Sequence, residues 1–181
     1  LIYTAMSSLK QLDHAKMKYA NALTNASTVG FKQSIQFATE TSQVAGAGFN
    51  TRFVPMNRSN DELVIDQGPL ITTGRKLDIY CKGGTLLGVQ GSNGQVAFTR
   101  RGDLLVDQSG FLSTANGHVV LGDGGGPITV PVGVELAITN DGTVTATDPV
   151  QPDAPPTIVG NLLLRDSTGI RIVRRTDGLY E

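Results

Sequence analysis

The chain has 181 residues, enough for one ordinary domain or a smaller domain with an appended element, and 39% of them are hydrophobic, which argues against wholesale disorder. Fifteen basic and sixteen acidic residues give a formal charge of -1, so the basic field of a nucleic-acid binder is absent. A single cysteine excludes an internal disulfide, and two histidines without companion thiols exclude a structural zinc site.

Residues 1 to about 26 have the spacing of one amphipathic helix. Apolar side chains recur alternately three and four positions apart, as in a coiled-coil seam, at Ile2, Ala5, Leu9, Leu12, Tyr19 and Leu23. Lys16 interrupts the pattern, and Asn25, the Ser27-Thr28 pair and Gly30 mark its end. Such a stripe needs a surface to cover it, either on its own domain or on another molecule. Its periodic spacing and lack of a basic leader argue against a signal peptide.

The segment that follows has a weaker pattern. Glycine, proline and asparagine interrupt residues 33 to about 60, which favours an extended or irregular connector over a second helix. Three regions are therefore predicted: an assembly helix over residues 1–32, a connector over residues 33–76 and a β-rich domain over residues 77–181. No apolar run approaches the roughly 18 residues of a membrane-spanning helix.

The β-rich region shows a period of two. Glycine is 22 of the 181 residues, about 12% against a usual 7%, which indicates many tight turns and short strands. Strands are predicted at 63–65, 77–81, 86–90, 96–99, 104–106, 111–112, 119–121, 128–130, 136–139 and 143–145. Turn dipeptides separate them at Asn93-Gly94, Ser109-Gly110, Asn116-Gly117 and Asp141-Gly142. The pattern predicts an antiparallel meander, an exposed proline-rich loop at 148–156, and a last hairpin of 158–165 with 170–174.

Several short motifs suggest chemistry, but each is better explained as structure. Ser7-Ser8-Leu9-Lys10 has the spacing of a penicillin-binding nucleophile without its downstream Lys-Thr-Gly. The glycine-rich run 122–127 precedes a predicted strand rather than the helix that a phosphate loop requires, so we interpret it as a wide turn. We expect His14 to be a solvated helix residue and His118 a hairpin residue. Cys81 is expected to be buried, and the arginines at 171, 174 and 175 to be solvated surface.

Three sets of residues resemble the family of flagellar rod and hook proteins. Residues 21–32, which read Asn-Ala-Leu-Thr-Asn-Ala-Ser-Thr-Val-Gly-Phe-Lys, are similar to the signature near the start of these proteins. Thr99-Arg100-Arg101-Gly102, with Asp107, Gly110 and Gly117 after it, resembles the family's internal Tyr-Thr-Arg-x-Gly pattern. The run 125–131, Asp141-Gly142-Thr143 and Asp177-Gly178-Leu179 are most similar to the proximal-rod members.

The resemblance implies a non-enzymatic structural subunit without a cofactor: a mainly β protein whose N-terminal coiled-coil-type helix assembles a rod that transmits torque to the hook. It implies an assembly interface at Ile2, Ala5, Leu9, Leu12, Tyr19, Leu23, Asn25, Thr28, Gly30 and Phe31. Implied partners are proximal and distal rod subunits, copies of itself in a helical assembly, and the flagellar export apparatus, with no nucleic acid and no membrane span. The implied location is the periplasmic rod of the basal body, reached without a cleaved signal peptide.

Two alternatives remain open from the sequence. The distal-rod relatives share the first two motifs, and a secreted β-rich binding module would fit the turn pattern. A binding module would need a groove lined by exposed aromatic side chains, and the chain has 6% aromatic residues and no tryptophan. In the resembled family a C-terminal heptad helix pairs with the N-terminal one. This sequence shows only the first, so we expect a neighbouring molecule to cover its seam, or the seam to be poorly ordered.

Overall fold

The computed structural model describes residues 2–32, 34–35, 42–47, 49–53, 62–63, 68–151, 153–175 and 177–181. The chain divides into two compact units. The helix unit comprises Leu1–Thr28 and Lys32–Val64, and the β unit comprises Val29–Phe31 and Ile65–Glu181. The described elements are one N-terminal helix and otherwise strands, which confirms the predicted fold class.

Helix α1 spans Ile2–Thr24, in agreement with the predicted helix. Side chains complete its last turn: Thr24 Oγ1 donates to the Ala20 carbonyl at 2.8 Å, and Asn25 Nδ2 donates to the Asn21 carbonyl at 2.9 Å. The Asn21 carbonyl also accepts the Asn25 amide at 3.1 Å, so the side-chain bonds reinforce the end of the helix. Turns then lead to Gly30, whose φ of 73° lies in the left-handed region.

The rest of the helix unit contains short paired strands and no second helix among the described residues, in the segment for which the sequence predicted an extended or irregular connector. Strand β1 (Ser34–Ile35) pairs with β4 (Glu62–Leu63), and β2 (Ser42–Gly46) pairs with β3 (Phe49–Phe53), both antiparallel. The register places Gly46 opposite Phe49. Residues 64 and 65 of the predicted strand at 63–65 lie outside the described residues.

The described part of the β unit contains eight short strands: β5 (Thr85–Gln90), β6 (Val96–Thr99), β7 (Leu104–Val106), β8 (Leu112–Thr114), β9 (Glu135–Ile138), β10 (Thr143–Thr147), β11 (Thr157–Asn161) and β12 (Leu164–Asp166). They form sheets in the orders β12-β5-β6, β11-β10-β9 and β7-β8, and each of these pairings is antiparallel. The glycines of the four predicted turn dipeptides all have φ between 77° and 87°, which confirms those turns. The described part of the proline-rich loop lies outside the strands, with Val150 exposed.

Three predicted strands and the predicted last hairpin are wrong. Residues 77–81, 119–121 and 128–130 form only isolated bridges, such as those joining Val89 to Val120 and Phe111 to Thr129. The run 158–165 divides into β11, which pairs with β10, and β12, which pairs with β5. The chain changes sheet because the buried Leu162 enters the core between them. Residues 170–174 form a single bridge, between Arg174 and Tyr180, so the fold is not a simple meander.

The core of the β unit is a cluster of aliphatic side chains from all three sheets. Its fully buried members include Leu87, Val89, Leu104, Leu112 and Val144. Burial alternates along β10, where Val144 and Ala146 are buried and their neighbours less so, as expected of a strand with one face against a core. At about 1.5–3 kcal/mol for each fully buried large aliphatic side chain, this cluster gives the β unit its own source of stability.

Candidate assembly surface

The apolar seam of α1 is exposed along its length. The exposed fractions are 60% for Leu9, 53% for Leu12, 70% for Tyr19 and 80% for Leu23. A spacing of three and four residues places these side chains on one face of the helix. Ala5 and Lys16 on the same face are exposed too, and the side chain of Ile2 lies outside the described residues. The seam therefore presents a row of large apolar side chains, whereas exposed apolar residues on a protein surface are normally scattered singly.

Two methionines that the sequence analysis did not single out are also exposed on this helix. Met6 follows Ala5 and widens the seam on one side, and Met17 lies farther round the helix. A search for two apolar positions in each heptad misses Met6, whereas the broader stripe of a helix that packs on a flat surface includes it. Methionine adapts its shape to uneven partner surfaces because it is unbranched.

The polar residues at the end of the predicted interface mainly stabilise the turn that follows α1. Besides its bond to the Asn21 carbonyl, Asn25 accepts a hydrogen bond from Thr28 Oγ1 at 3.3 Å through its side-chain oxygen. The Thr28 amide also donates to the Asn25 carbonyl at 2.9 Å. These contacts give Asn25 and Thr28 a structural use within the helix unit.

Gly30 and Phe31, the last two residues of the predicted interface, lie in the β unit. A Cβ atom at Gly30 would stand 2.7 Å from the Arg100 carbonyl carbon and 2.7 Å from the Arg101 nitrogen. The Phe31 ring lies beneath the Arg174 guanidinium, with 5.1 Å between the central carbon of that group and the ring centroid. Both residues thus have packing contacts within the β unit.

The Thr99-Arg100-Arg101-Gly102 segment holds neighbouring loops in place. The buried Arg100 guanidinium donates to the Cys81 carbonyl at 2.7 Å and to the Gly83 carbonyl at 2.5 Å. Arg101 forms a two-fold ion pair with Asp103, at 2.6 and 2.7 Å. Gly102 packs so closely against the Ile79 carbonyl oxygen that an added Cβ would overlap that atom.

The final residues of the chain fold back onto β6. Tyr180 and Phe98 exchange two backbone hydrogen bonds of 2.8 Å, and Leu179 is buried. Arg175 pairs with Asp177 at 3.2 Å, so the prediction that 171, 174 and 175 form simple solvated surface is wrong for Arg174 and Arg175. Burial raises the pKa of the Tyr180 hydroxyl, although the positive charges of Arg174 and Arg100 oppose the rise.

Comparison with known proteins supports the resemblance seen in the motifs. Residues 81–146 match the family model described as the flagellar hook protein FlgE/F/G D1 domain. The flagellar basal-body rod protein FlgF of Escherichia coli K12 is 36% identical over 99% of this chain and 70% of its own length. FlgF of Salmonella typhimurium is 37% identical with the same coverage. FlgG of Bacillus subtilis is 29% identical over 81% of this chain and 60% of its own length.

The chain belongs to the flagellar basal-body rod protein family. The family model covers β5 to most of β10 and begins at Cys81, whose carbonyl oxygen Arg100 binds. The long matches to FlgF also include α1 and its exposed seam, since they cover 99% of the chain.

The motifs that suggested other chemistry have structural uses in this rod-family chain. The Gly122 amide donates to the Gly126 carbonyl at 2.8 Å, which closes the run 122–127 into a turn and confirms that interpretation. His14 is exposed on α1, and the His118 amide donates to Thr114 Oγ1 at 3.2 Å within a hairpin, both as predicted. Lys10 is exposed, and the side chain of Ser7 lies outside the described residues.

The remaining candidates for chemistry are the single thiol and acidic or imidazole clusters. Cys81 is buried as predicted, and burial raises its thiol pKa against a smaller lowering by Arg100. Within the described ranges, no three His, Cys, Asp or Glu side chains converge as metal ligands. The described helix is too polar for a membrane span.

Proposed function

We propose that this chain is a structural, non-enzymatic subunit of the bacterial flagellar rod, of the proximal type, and that α1 joins it to its neighbours. The exposed seam carries this proposal: four large apolar side chains repeat on one face of a helix that belongs to a rod-family chain. Burial of such side chains is the main favourable term in most protein association.

The partners we propose are copies of this chain and other proximal and distal rod subunits, with which it forms a helical assembly. A head-to-tail contact that does not close on itself generates such a filament, and a rod can then carry torque to the hook. Complete burial of Leu9, Leu12, Tyr19 and Leu23 could contribute about 1.5–3 kcal/mol each, less the cost of fixing their rotamers. We further propose export through the flagellar apparatus without a cleaved signal and a final position in the periplasmic rod.

The seam can be tested with the double change Leu9→Asp and Leu12→Asp in a flagellated host that relies on this chain. Two carboxylates in the buried seam would have to be desolvated, so we expect loss of rod assembly and of swimming in soft agar. The matched control is His14→Asp with Asn21→Asp, which adds the same two charges to exposed positions off the seam. We expect control cells to swim.

One further measurement makes this test decisive. Thermal unfolding of the β unit should have the same midpoint in the purified double variant as in the control. Equal midpoints would exclude general unfolding as the cause of the lost swimming. Normal swimming by Leu9→Asp, Leu12→Asp cells would refute the seam as the assembly surface.

The distal type is the second candidate, because FlgG relatives also match most of the chain. The matches to FlgF of Escherichia coli and Salmonella typhimurium are longer and more identical than the match to FlgG of Bacillus subtilis, which favours the proximal type. Complementation separates the two: the chain should restore swimming to a host deleted for its own FlgF and not to one deleted for its own FlgG. The opposite result would assign it to the distal type, and the seam variants would remain informative in that host.

A further inference from the structure

Three residues just after the helix-end turn belong to the β unit, although the segments before and after them belong to the helix unit. These residues are Val29–Phe31. Their contacts with residues about 70 and 140 positions later explain this assignment. These three residues are therefore held in the β unit by long-range contacts.

Gly30 makes the first of these contacts. Its φ is 73°, and a Cβ atom at this position would lie 2.7–2.8 Å from three backbone atoms of Arg100 and Arg101. Backbone atoms cannot rotate away as the end of a side chain can, so any larger residue would have to push the two segments apart. Conformation and space thus both require glycine here.

Phe31 makes the second contact, with a side chain that is itself fixed. Arg174 covers the half-buried ring at 5.1 Å, in the range of a cation–π interaction. The backbone around Arg174 is held by an exchange of hydrogen bonds between Val173 and Glu181, at 2.9 and 3.0 Å. Tyr180, next to Glu181 in the sequence, is buried, and its backbone exchanges hydrogen bonds with Phe98 of β6. The guanidinium therefore projects from an anchored hairpin.

We propose that Gly30 and Phe31 form a clip with the Arg100–Arg101 backbone and the Arg174 guanidinium. The clip anchors Val29–Phe31 within the β unit, so that the backbone directly after the helix-end turn is held by contacts far along the chain. The clip does not depend on the proposed function.

The absence of tryptophan from the chain permits a specific probe of the clip. In the full-length Phe31→Trp protein, the only indole stands beneath Arg174 and can be excited at wavelengths that tyrosine does not absorb. We expect acrylamide to quench this indole poorly. Adding Arg174→Met should raise the Stern–Volmer constant roughly twofold or more, because the ring loses its cover. Adding Arg165→Met, at an exposed arginine of β12, is the control and should leave quenching unchanged.

Glycine substitutions test the other half of the clip. Gly30→Ala in the Phe31→Trp protein should also expose the indole. Gly94→Ala is the matched control, because Gly94 has a similar φ of 77° but no atom within 4 Å of an added Cβ. If acrylamide quenched the indole equally in the two alanine variants, backbone strain alone would explain any increase in quenching. That result would overturn a packed contact at Gly30.

The clip is refuted if the Stern–Volmer constant of the Phe31→Trp protein is the same with Arg174→Met as with Arg165→Met. The arginine pair still decides the question if Gly30→Ala does not fold, since methionine keeps the apolar stem of the arginine. These spectroscopic results do not depend on rod assembly. If the chain fails to restore swimming but Arg174→Met raises quenching as expected, the result counts against the proposed function. If the chain restores swimming but Arg174→Met and Arg165→Met are quenched equally, the result counts against the clip alone.

Discussion

Replacement of Arg100 by methionine should destabilise the β unit by about 2–4 kcal/mol. The buried guanidinium donates to the carbonyl oxygens of Cys81 and Gly83, at 2.7 and 2.5 Å. A hydrogen bond from a charged donor contributes about 1.5–3 kcal/mol, so the two together contribute roughly 3–6 kcal/mol. Methionine retains much of the apolar stem and removes a buried charge, which offsets part of this loss.

Thermal and urea unfolding of the full chain, followed by near-ultraviolet circular dichroism, would measure this effect. In a unit of this size the unfolding midpoint falls by about 3–5 °C for each kcal/mol, so we expect a decrease of roughly 6–20 °C. The unfolding midpoint of Arg100→Lys should lie between those of Arg100→Met and the natural chain, since a single ammonium group cannot reproduce the planar guanidinium that reaches two carbonyls.

Arg165→Met controls for the loss of one positive charge, because Arg165 is exposed. It should change the free energy of unfolding by less than about 0.5 kcal/mol. If Arg100→Met were as stable as Arg165→Met, the two carbonyl contacts would not hold the 81–83 segment, and the structural role given to Arg100 would be refuted.

Acidic and thiol groups give two further predictions. The Phe111 and Ser109 amides bond Asp107 and hold the pKa of its carboxyl below the usual 3.8, so its stabilising effect is present above about pH 4 and is lost as pH falls through the lowered value. Asp107→Asn should therefore have a lower thermal midpoint than the natural chain at pH 6, and the difference between the two midpoints should become smaller below pH 3. A difference that stays constant with pH would contradict this. Burial raises the thiol pKa of Cys81, so an aromatic disulfide reagent at pH 8 should label the folded chain at least about 100-fold more slowly than the urea-unfolded chain, and equal rates would contradict its burial.

Local features of the fold could be predicted from the sequence, whereas long-range pairings could not. The α1 pattern and the Asn93-Gly94 turn depend on residues within a few positions of one another, and both were found. The division of the run 158–165 depends instead on β5, more than 70 residues earlier. There the Gly88 amide donates to the Leu163 carbonyl at 2.7 Å, and an added Cβ at Gly88 would meet the Leu163 side chain. No periodicity in the run itself specifies that contact.

The same distinction applies to the candidate assembly surface. Periodicity identified the seam, and Leu9 and Leu23 are exposed as a covering partner would require. It missed Met6 because the search template admitted only two positions in each heptad. Gly30 and Phe31 enter the predicted interface through the family resemblance of residues 21–32. Their contacts with Arg100, Arg101 and Arg174 depend on the folded β unit.

Parts of the residue sets that carry the family resemblance make contact within the β unit. Phe31 lies under Arg174, Gly30 packs on the Arg100–Arg101 backbone, and the hairpin that carries Arg174 is bonded to β6. Gly30, Phe31 and Arg100 are buried or half-buried, so a neighbouring subunit has little access to them. We therefore expect a host to discriminate proximal from distal subunits through exposed side chains. The seam of α1 is the described surface with the most large apolar groups in register, and exchanging its residues with those of a distal-rod relative should change which deletion the chain complements.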